Sequence, residues 1–316
     1  MKPALEAFEP SFFVTKDGAR LRAGVWRAAE GTILRGVCLL LQGQTEFLEK
    51  YCEVIDELRF RGFTVAAFDW RGQGGSVRAL ADTRICHIDD FAQYDEDFRA
   101  FLDQIVAPLT AAPPLALAHS MGGHILLRTL HERPNCIAGA VLTAPMLRIA
   151  TRGQPEWLVP IITRLMMLLG KKGDYVLGME GRDPLNMTFK DQLVTSDRVR
   201  FDRTQALVAE HPELRLSGPS WGWLSAAFAS MAKEMSPGYA ESITTPILLY
   251  GAGKDRIVQT PAARDFVHRL PNGSYVEFEM AEHEILMEND IVRTRFWKAF
   301  DEFANRIFPI EEDVAR

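Results

Sequence analysis

The chain has 316 residues, of which 47% are hydrophobic and 25% charged, and a net charge of −6. This composition is ordinary for a globular protein with a large core. Its acidic balance argues against a basic nucleic-acid-binding face, so we expect no nucleic-acid partner. The four cysteines lie far apart without a Cys-x-x-Cys pair, which argues against a metal site and a disulfide framework.

Strand-like and helix-like segments alternate along the chain. Apolar or alternating runs predict strands at residues 11–15, 21–26, 33–41, 64–68, 115–118, 139–143, 246–251 and 274–279. Helical spacing predicts helices at residues 51–60, 122–131 and 290–307, and one more that starts near Asp89 and Asp90 and runs to Val106. This order predicts an α/β fold with a mostly parallel sheet and helices on both faces.

The segment Ala118-His119-Ser120-Met121-Gly122-Gly123 lies where a strand-like run ends and a helix-like stretch begins. A serine on such a tight turn holds its Oγ out of the backbone at the edge of the sheet, and small residues must flank it. The segment therefore predicts a nucleophile elbow with Ser120 as the nucleophile. The alternative is a turn serine that only caps the following helix.

The later part of the chain contains two residues that can be the partners of a nucleophilic serine. Asp255 comes shortly after the strand-like run 246–251, and His283 comes after the run 274–279. The serine needs a general base, and the base needs an acid that orients its other ring nitrogen. The order serine, aspartate, histidine, each just past a strand, predicts a catalytic triad.

Neighbouring residues compete for the roles of the acid and the base. Residues close together on one loop rarely face the same side of a ring, so we favour Asp255 over the glutamates beside His283. A side chain next to the nucleophile is expected to point away from Oγ, and one a turn later to pack or bond locally. The competing residues are Glu279, Glu282, Glu284, His119 and His124.

The motifs together resemble those of the α/β-hydrolases and, within that superfamily, those of the bacterial lysophospholipase and monoacylglycerol lipase group. The resemblance covers most of the chain, is weakest in its middle, and implies a serine hydrolase without a metal or organic cofactor. The matching segments are 41–47, 68–76, 119–123, 251–255 and His283.

An oxyanion hole needs two backbone N–H groups aimed at the developing negative charge. One donor is the residue after the nucleophile, Met121, and the other comes from the loop after strand 33–41. The resemblance assigns this second role to Gln44. The chain departs from its relatives at Gln42, where they usually carry histidine, and at Ala118, where glycine is commoner. Backbone donors survive the first change, and one extra methyl group is tolerable at the second.

The strand signal disappears between residues 146 and 240, where large apolar side chains are dense. We predict that this segment is a helical cap over the active site, and that residues 1–145 and 241–316 form the hydrolase core. Packing of the cap onto the core explains any one apolar side chain, but their number predicts an acyl-chain tunnel. The candidate substrate-binding residues are Trp157, Leu165, Met166 and Trp223.

These features predict a serine carboxylic-ester hydrolase that acts on fatty-acyl esters through an acyl-enzyme, with monoacylglycerols and lysophospholipids as the leading substrates. A small ester, a thioester and a peptide N-terminus are alternative substrates, and a non-catalytic binding protein on the same fold is the alternative of another class.

The cellular location of the protein is predicted from the lengths of its apolar runs. The N-terminal residues 1–9 lack the apolar run of a signal peptide, and no stretch reaches the ~18–20 apolar residues of a membrane span. We therefore expect a cytoplasmic protein that can make peripheral contact with the inner membrane. The sequence predicts no particular oligomeric state.

Overall fold

The structure is a computed structural model that describes residues 3–151, 153–179 and 183–309. Most element ends agree with the sequence prediction to within one or two residues. The strands are β1 (Ser11–Val14), β2 (Arg20–Trp26), β3 (Gly36–Leu41), β4 (Phe63–Phe68), β5 (Ile85–Cys86), β6 (Leu115–His119), β7 (Gly139–Thr143), β8 (Gly218–Pro219), β9 (Ile247–Ala252) and β10 (Gly273–Phe278). The helices are α1 (Cys52–Phe60), α2 (Ala92–Phe101), α3 (Met121–Glu132), α4 (Leu158–Leu168), α5 (Arg198–Glu210), α6 (Trp221–Glu234), α7 (Thr260–Arg269) and α8 (Asp290–Ile307).

Eight strands of the described chain form the central sheet, in the order β1-β2-β4-β3-β6-β7-β9-β10. β2 runs antiparallel to β1 and β4, and every pair from β4 to β10 is parallel. The predicted α/β fold with a mostly parallel sheet is confirmed. Because parallel strands end at the same edge of a sheet, the loops after β3, β6, β9 and β10 lie together, and these loops carry the predicted site.

Helices cover both faces of the sheet because alternate side chains of each buried strand point to opposite sides. In β3, Leu39 and Leu41 join the core under α2, α3 and α7, whereas Cys38 and Leu40 join the core under α1 and α8. The parallel strands are therefore apolar on both faces, as the uninterrupted runs in the sequence predict.

Two element ends differ from the prediction. β3 begins at Gly36, and the preceding Ile33 and Leu34 lie outside the sheet with exposed side chains. α2 begins at Ala92, whose amide donates to the Asp90 carboxylate at 2.8 Å. Past the end of α2, residues 102–106 continue as one wider π-helical turn that the helical spacing does not distinguish.

The segment between β7 and β9 is mainly helical and contains α4, α5 and α6. The expectation that it holds no strand is wrong at two residues, because β8 pairs in parallel with β5 of the core. α6 also binds the core through side chains: His124 of α3 lies 2.7 Å from the Ser230 hydroxyl, and the Trp223 indole donates to Tyr94 at 3.1 Å. α4 packs against α6.

A second part of this segment is attached to the loop that follows β10. The Glu284 amide donates to the Val194 carbonyl at 2.7 Å, and the Thr195 hydroxyl donates to the Met287 carbonyl at 2.7 Å. The segment is thus hydrogen-bonded both to elements that precede it in the chain and to the loop after β10. None of the helices in the described residues is long and apolar enough to cross a bilayer.

All four cysteines are free. Cys38 and Cys86 are buried, and burial raises the pKa of both thiols, which keeps them protonated. Cys52 and Cys136 are half-buried.

Candidate active site

Ser120 lies at the turn between β6 and α3 with a strained backbone, at φ 50° and ψ −114°. Three hydrogen bonds hold it there: its amide donates to Thr143 at 3.0 Å, and its carbonyl accepts from His124 at 3.1 Å and Met146 at 3.0 Å. A Cβ added at Gly122 would lie 2.5 Å from the Leu41 carbonyl oxygen, so α3 can approach β3 this closely only with glycine there. The small residues of the motif are a requirement of this crossing.

The structure brings the three predicted triad residues together. His283 Nε2 lies 3.0 Å from Ser120 Oγ, and His283 Nδ1 lies 2.6 Å from Asp255 Oδ2. The other oxygen of Asp255 accepts hydrogen bonds from the amides of Ile257 at 2.8 Å and Val258 at 2.9 Å. The aspartate is thereby fixed from both sides and presents one oxygen to the imidazole.

The loops after β9 and β10 are bonded to each other, which sets the distance between the acid and the base. The Gly253 amide donates to the Phe278 carbonyl and the Lys254 amide to the Ala281 carbonyl, each at 2.9 Å. Asp255 and His283 follow directly on these two bonded segments.

Electrostatics favour an ionised aspartate beside a basic imidazole. Burial raises the pKa of Asp255, but the imidazole and the two amides outweigh burial and hold it below its ordinary value. Burial lowers the pKa of His283, but Asp255, Glu284 and Glu46 outweigh burial and raise it above the usual range. Such an imidazole accepts a proton readily, and its charged form is stabilised by the carboxylate.

The competing histidines have other partners. His119 Nδ1 lies 3.1 Å from both the carbonyl and the hydroxyl oxygen of Thr143, and burial lowers its pKa to about 4, which keeps it neutral. His124 packs its ring against Phe91, and its Nε2 lies 2.7 Å from the Ser230 hydroxyl in α6 while its Nδ1 lies 2.7 Å from the Glu234 carboxylate.

Two of the competing glutamates are also engaged elsewhere. Glu282 lies 3.4 Å from Arg256, and Glu284 accepts from Lys50 at 2.6 Å. Asp255 is the carboxylate that bonds to His283 Nδ1.

The loop after β3 reaches the serine directly. A Cβ added at Gly43 would lie 3.2 Å from Ser120 Cβ. The amides on either side of Gln44 are engaged: Gly43 donates to Glu46 at 2.5 Å, and Thr45 donates to Gln73 at 3.2 Å. These bonds fix the loop around Gln44, while Met121 is the first residue of α3, where helix amides have no partner within the helix.

Gln42 has a structural role that sequence reasoning missed. Its side-chain amide donates to Asp69 at 2.8 Å, and its carbonyl accepts from the Trp70 indole at 3.0 Å. Asp69 is fully buried and also accepts from Arg22 at 2.6 Å and from the Leu48 amide at 3.0 Å. Gln42 therefore anchors the start of the loop. The signal was a buried polar residue directly after an apolar strand.

The four candidate substrate-binding residues differ in how far they are buried. Trp157 and Leu165 expose 68% and 53% of their surface to solvent, so they do not line an enclosed tunnel in this structure. Met166 is half-buried on α4. Trp223 is buried, and its indole N–H is used by Tyr94, so it packs α6 onto the core.

Comparison with known proteins places this geometry in a family. Residues 32–290 match the model of the Hydrolase_4 family, described as serine aminopeptidase, S33. The chain belongs to this family. Lysophospholipase L2 of Escherichia coli is 32% identical over 85% of this chain and 80% of its own length. The monoacylglycerol lipase of Mycolicibacterium smegmatis is 25% identical over 82% of this chain and 83% of its own.

Solved structures show the same fold. A soluble variant of the monoglyceride lipase of Saccharomyces cerevisiae superposes with a TM-score of 0.75 at 21% identity, over 96% of both chains. The predicted resemblance to the lysophospholipase and monoacylglycerol lipase group of the α/β-hydrolases is confirmed. The protein is a serine hydrolase of the carboxylic-ester class.

The strained backbone of Ser120 predicts an unusual stability effect. Relief of backbone strain in the folded state raises the free energy of unfolding by about 1–3 kcal/mol. The greater entropy of glycine in the unfolded chain lowers it by about 0.4–1 kcal/mol. We therefore expect Ser120→Gly to exceed Ser120→Ala in free energy of unfolding by about 1 kcal/mol, measured by urea denaturation.

Ser225 within α6 provides the matched control for this prediction. The free energy of unfolding of Ser225→Gly is expected to be about 1 kcal/mol lower than that of Ser225→Ala, since the backbone is helical there. If Ser120→Gly is also less stable than Ser120→Ala, the turn carries no strain that glycine relieves.

Proposed function

We propose that Ser120 is the nucleophile and His283 the general base and then the general acid. We propose that Asp255 orients the imidazole and stabilises its charged form. The observation that carries this proposal is the continuous chain of contacts Oγ–Nε2 at 3.0 Å and Nδ1–Oδ2 at 2.6 Å. His283 removes the serine proton as Oγ attacks the ester carbonyl carbon. It then delivers this proton to the departing alcohol, which leaves an acyl-enzyme.

Water completes the reaction in the second half. His283 takes a proton from a water molecule, and the hydroxide attacks the acyl carbonyl carbon. Collapse of the second tetrahedral intermediate breaks the bond to Oγ and returns the proton to Ser120, which frees the carboxylic acid. We assign the oxyanion hole in both steps to the backbone N–H groups of Met121 and Gln44. Loss of one such donor typically costs about 2.7–4 kcal/mol of transition-state stabilisation.

We propose fatty-acyl esters as the substrates, with lysophospholipids and monoacylglycerols first. The relatives named for these substrates align over more than four-fifths of the chain. The apolar segment 146–240 supports the same conclusion, and we propose it as a cap inserted between the two parts of the hydrolase core.

We also propose that α4 touches a lipid surface. One face of this helix is apolar and exposed, and Arg164 within it and Lys171 just after it are exposed cations that can meet lipid phosphates. A water-soluble surface rarely exposes so many large apolar side chains together. The residues of this lipid-facing surface are Trp157, Ile161, Leu165, Leu168 and Leu169.

Hydrolysis of p-nitrophenyl esters from acetate to palmitate tests the substrate class. We expect turnover that rises with chain length and falls by at least 10³-fold in Ser120→Ala, because removing a triad member leaves only oxyanion and binding contributions. Activity confined to short chains contradicts the fatty-acyl assignment. Cleavage of aminoacyl amides without ester hydrolysis favours a peptidase, and ligand capture without turnover favours a binding protein.

The raised pKa of His283 predicts the acid limb of the pH profile. kcat/KM falls as pH decreases through this pKa, because a protonated imidazole cannot accept the serine proton. In Asp255→Asn the charge that favours the imidazolium is gone, so the acid limb moves to lower pH, and the rate falls by about 10⁴-fold. An acid limb that stays in place in the variant contradicts the pairing of Asp255 with His283.

The lipid-facing surface is tested with the double variant Ile161→Ser/Leu165→Ser. Sedimentation with anionic phospholipid vesicles is expected to recover at least fivefold less of it than of the parent, because ~0.8 kcal/mol is lost for each CH₂ group withdrawn from lipid. Hydrolysis of soluble p-nitrophenyl butyrate is expected to be unchanged. Val199→Ser removes an even more exposed apolar side chain from α5 and is the matched control. Equal vesicle binding by all three proteins contradicts the assignment.

A further inference from the structure

A buried charged cluster lies beside the triad and takes no part in the proton transfers described above. It consists of Glu46, Lys50 and Glu284, whose side chains are 4%, 7% and 11% exposed. Glu46 and Lys50 belong to the segment after β3, whereas Glu284 follows the catalytic histidine 234 positions after Lys50. Buried charges are costly to desolvate, so a cluster of three requires partners of good geometry.

One ammonium group joins the two distant segments. Lys50 Nζ donates to Glu46 Oε1 at 2.7 Å and to Glu284 Oε1 at 2.6 Å. Burial disfavours the ammonium ion, but the two carboxylates outweigh burial and raise the pKa of Lys50 above its ordinary value. The lysine therefore stays charged and binds both carboxylates at once.

The Glu46 end of this cluster holds the loop after β3, residues 42–47, which we call the oxyanion loop because we assign the Gln44 amide to the oxyanion hole. Its second oxygen accepts from the Gly43 amide at 2.5 Å and from the Tyr51 hydroxyl at 2.6 Å. Gly43 directly precedes Gln44 and packs against Ser120 Cβ. Burial raises the pKa of Glu46, but Lys50 and its other partners bring it down to about 2, so the carboxylate remains ionised and a strong acceptor.

The Glu284 end of the cluster holds the histidine loop. Glu284 follows His283 in sequence, and its own amide is bonded to the Val194 carbonyl. Its position is therefore fixed both through its backbone and through its side chain. A displacement of Lys50 would therefore shift both the loop after β3 and the loop that carries His283.

We propose that Lys50 is a positioning residue. It binds both Glu46 and Glu284 and so holds the oxyanion loop at a fixed position relative to the loop that carries His283. This inference rests on the proposed function, because the relative position of the two loops matters only if the Gln44 amide and His283 act on the same tetrahedral intermediate. A misplacement of about 1 Å in such a constellation costs on the order of 10²-fold in rate.

The double variant Lys50→Met/Glu284→Leu tests the proposal. It removes the bridge without leaving a lone cation, and Glu46 keeps Gly43 and Tyr51 as donors. Apolar replacement of a buried ion pair is often neutral for stability, so thermal denaturation is expected to show a folded protein. kcat is expected to fall by about 10- to 100-fold with KM within about threefold of the parent.

A tetrahedral mimic provides a readout that loosened structure alone does not give. The affinity for an alkyl trifluoromethyl ketone is expected to fall by the same factor as kcat/KM, because both depend on the oxyanion donors and His283 acting together. Arg128→Met/Asp95→Asn removes an ion pair of similar burial between α2 and α3 and is the matched control. Its kcat and ketone affinity are expected to match those of the parent.

Three outcomes overturn the proposal. They are a folded double variant with parental kcat and ketone affinity, an equal loss of kcat in the control, and a loss confined to KM. If the double variant does not fold, Glu46→Gln replaces it, since the amide cannot serve Lys50, Gly43 and Tyr51 together as acceptor. The same split between kcat and KM is then expected, and parental kcat overturns the proposal.

Failure of the underlying function is recognised separately. If Ser120→Ala keeps the esterase activity of the parent, the triad assignment itself is wrong. If Ser120→Ala is inactive and the Lys50 variant is fully active, only the role of Lys50 is wrong.

Discussion

The backbone of Ser120 is the constraint on which the rest of the site depends. A non-glycine residue at positive φ persists only where its surroundings over-determine it, and here Thr143, His124 and Met146 do so through three hydrogen bonds. Because these partners belong to β7, α3 and the chain after β7, the strain is held by the whole centre of the sheet. The serine hydroxyl therefore meets His283 without an adjustment of its own backbone.

Around this centre, buried carboxylates hold the loop after β3. Asp69 binds Gln42 at the start of this loop, and Glu46 binds Gly43 one residue later. Apolar contacts tolerate small displacements, whereas charge-assisted hydrogen bonds are directional and short. Carboxylates that accept several donors are suited to hold a loop whose amide must point at one developing charge.

The sequence was sufficient for the eight strands of the central sheet, for α1, α2, α3 and α8, and for the proximity of Ser120, Asp255 and His283. These depend on local patterns: apolar runs, helical spacing and a motif at each strand end. It was insufficient for the role of Gln42 and for the Glu46–Lys50–Glu284 cluster, whose partners lie far apart in the chain. The substrate-binding assignments remain predictions for another reason. Large apolar residues indicate burial against something, and Trp157 and Leu165 are left uncovered by this chain.

The segment between β7 and β9 is attached unevenly to the rest of the chain, and this bears on the proposed route of a lipid to Ser120. Residues 194–196 are bonded to the loop after His283, and Arg200 donates to the Glu288 carbonyl at 3.0 Å. α4 has no comparable burial, because Thr163 is its buried residue and its apolar face is exposed. If α4 meets lipid as we propose, its motion there need not disturb the loop that carries His283. In the proposed cap, the helix assigned to the lipid surface is thus separate from the residues that are bonded to the catalytic loop.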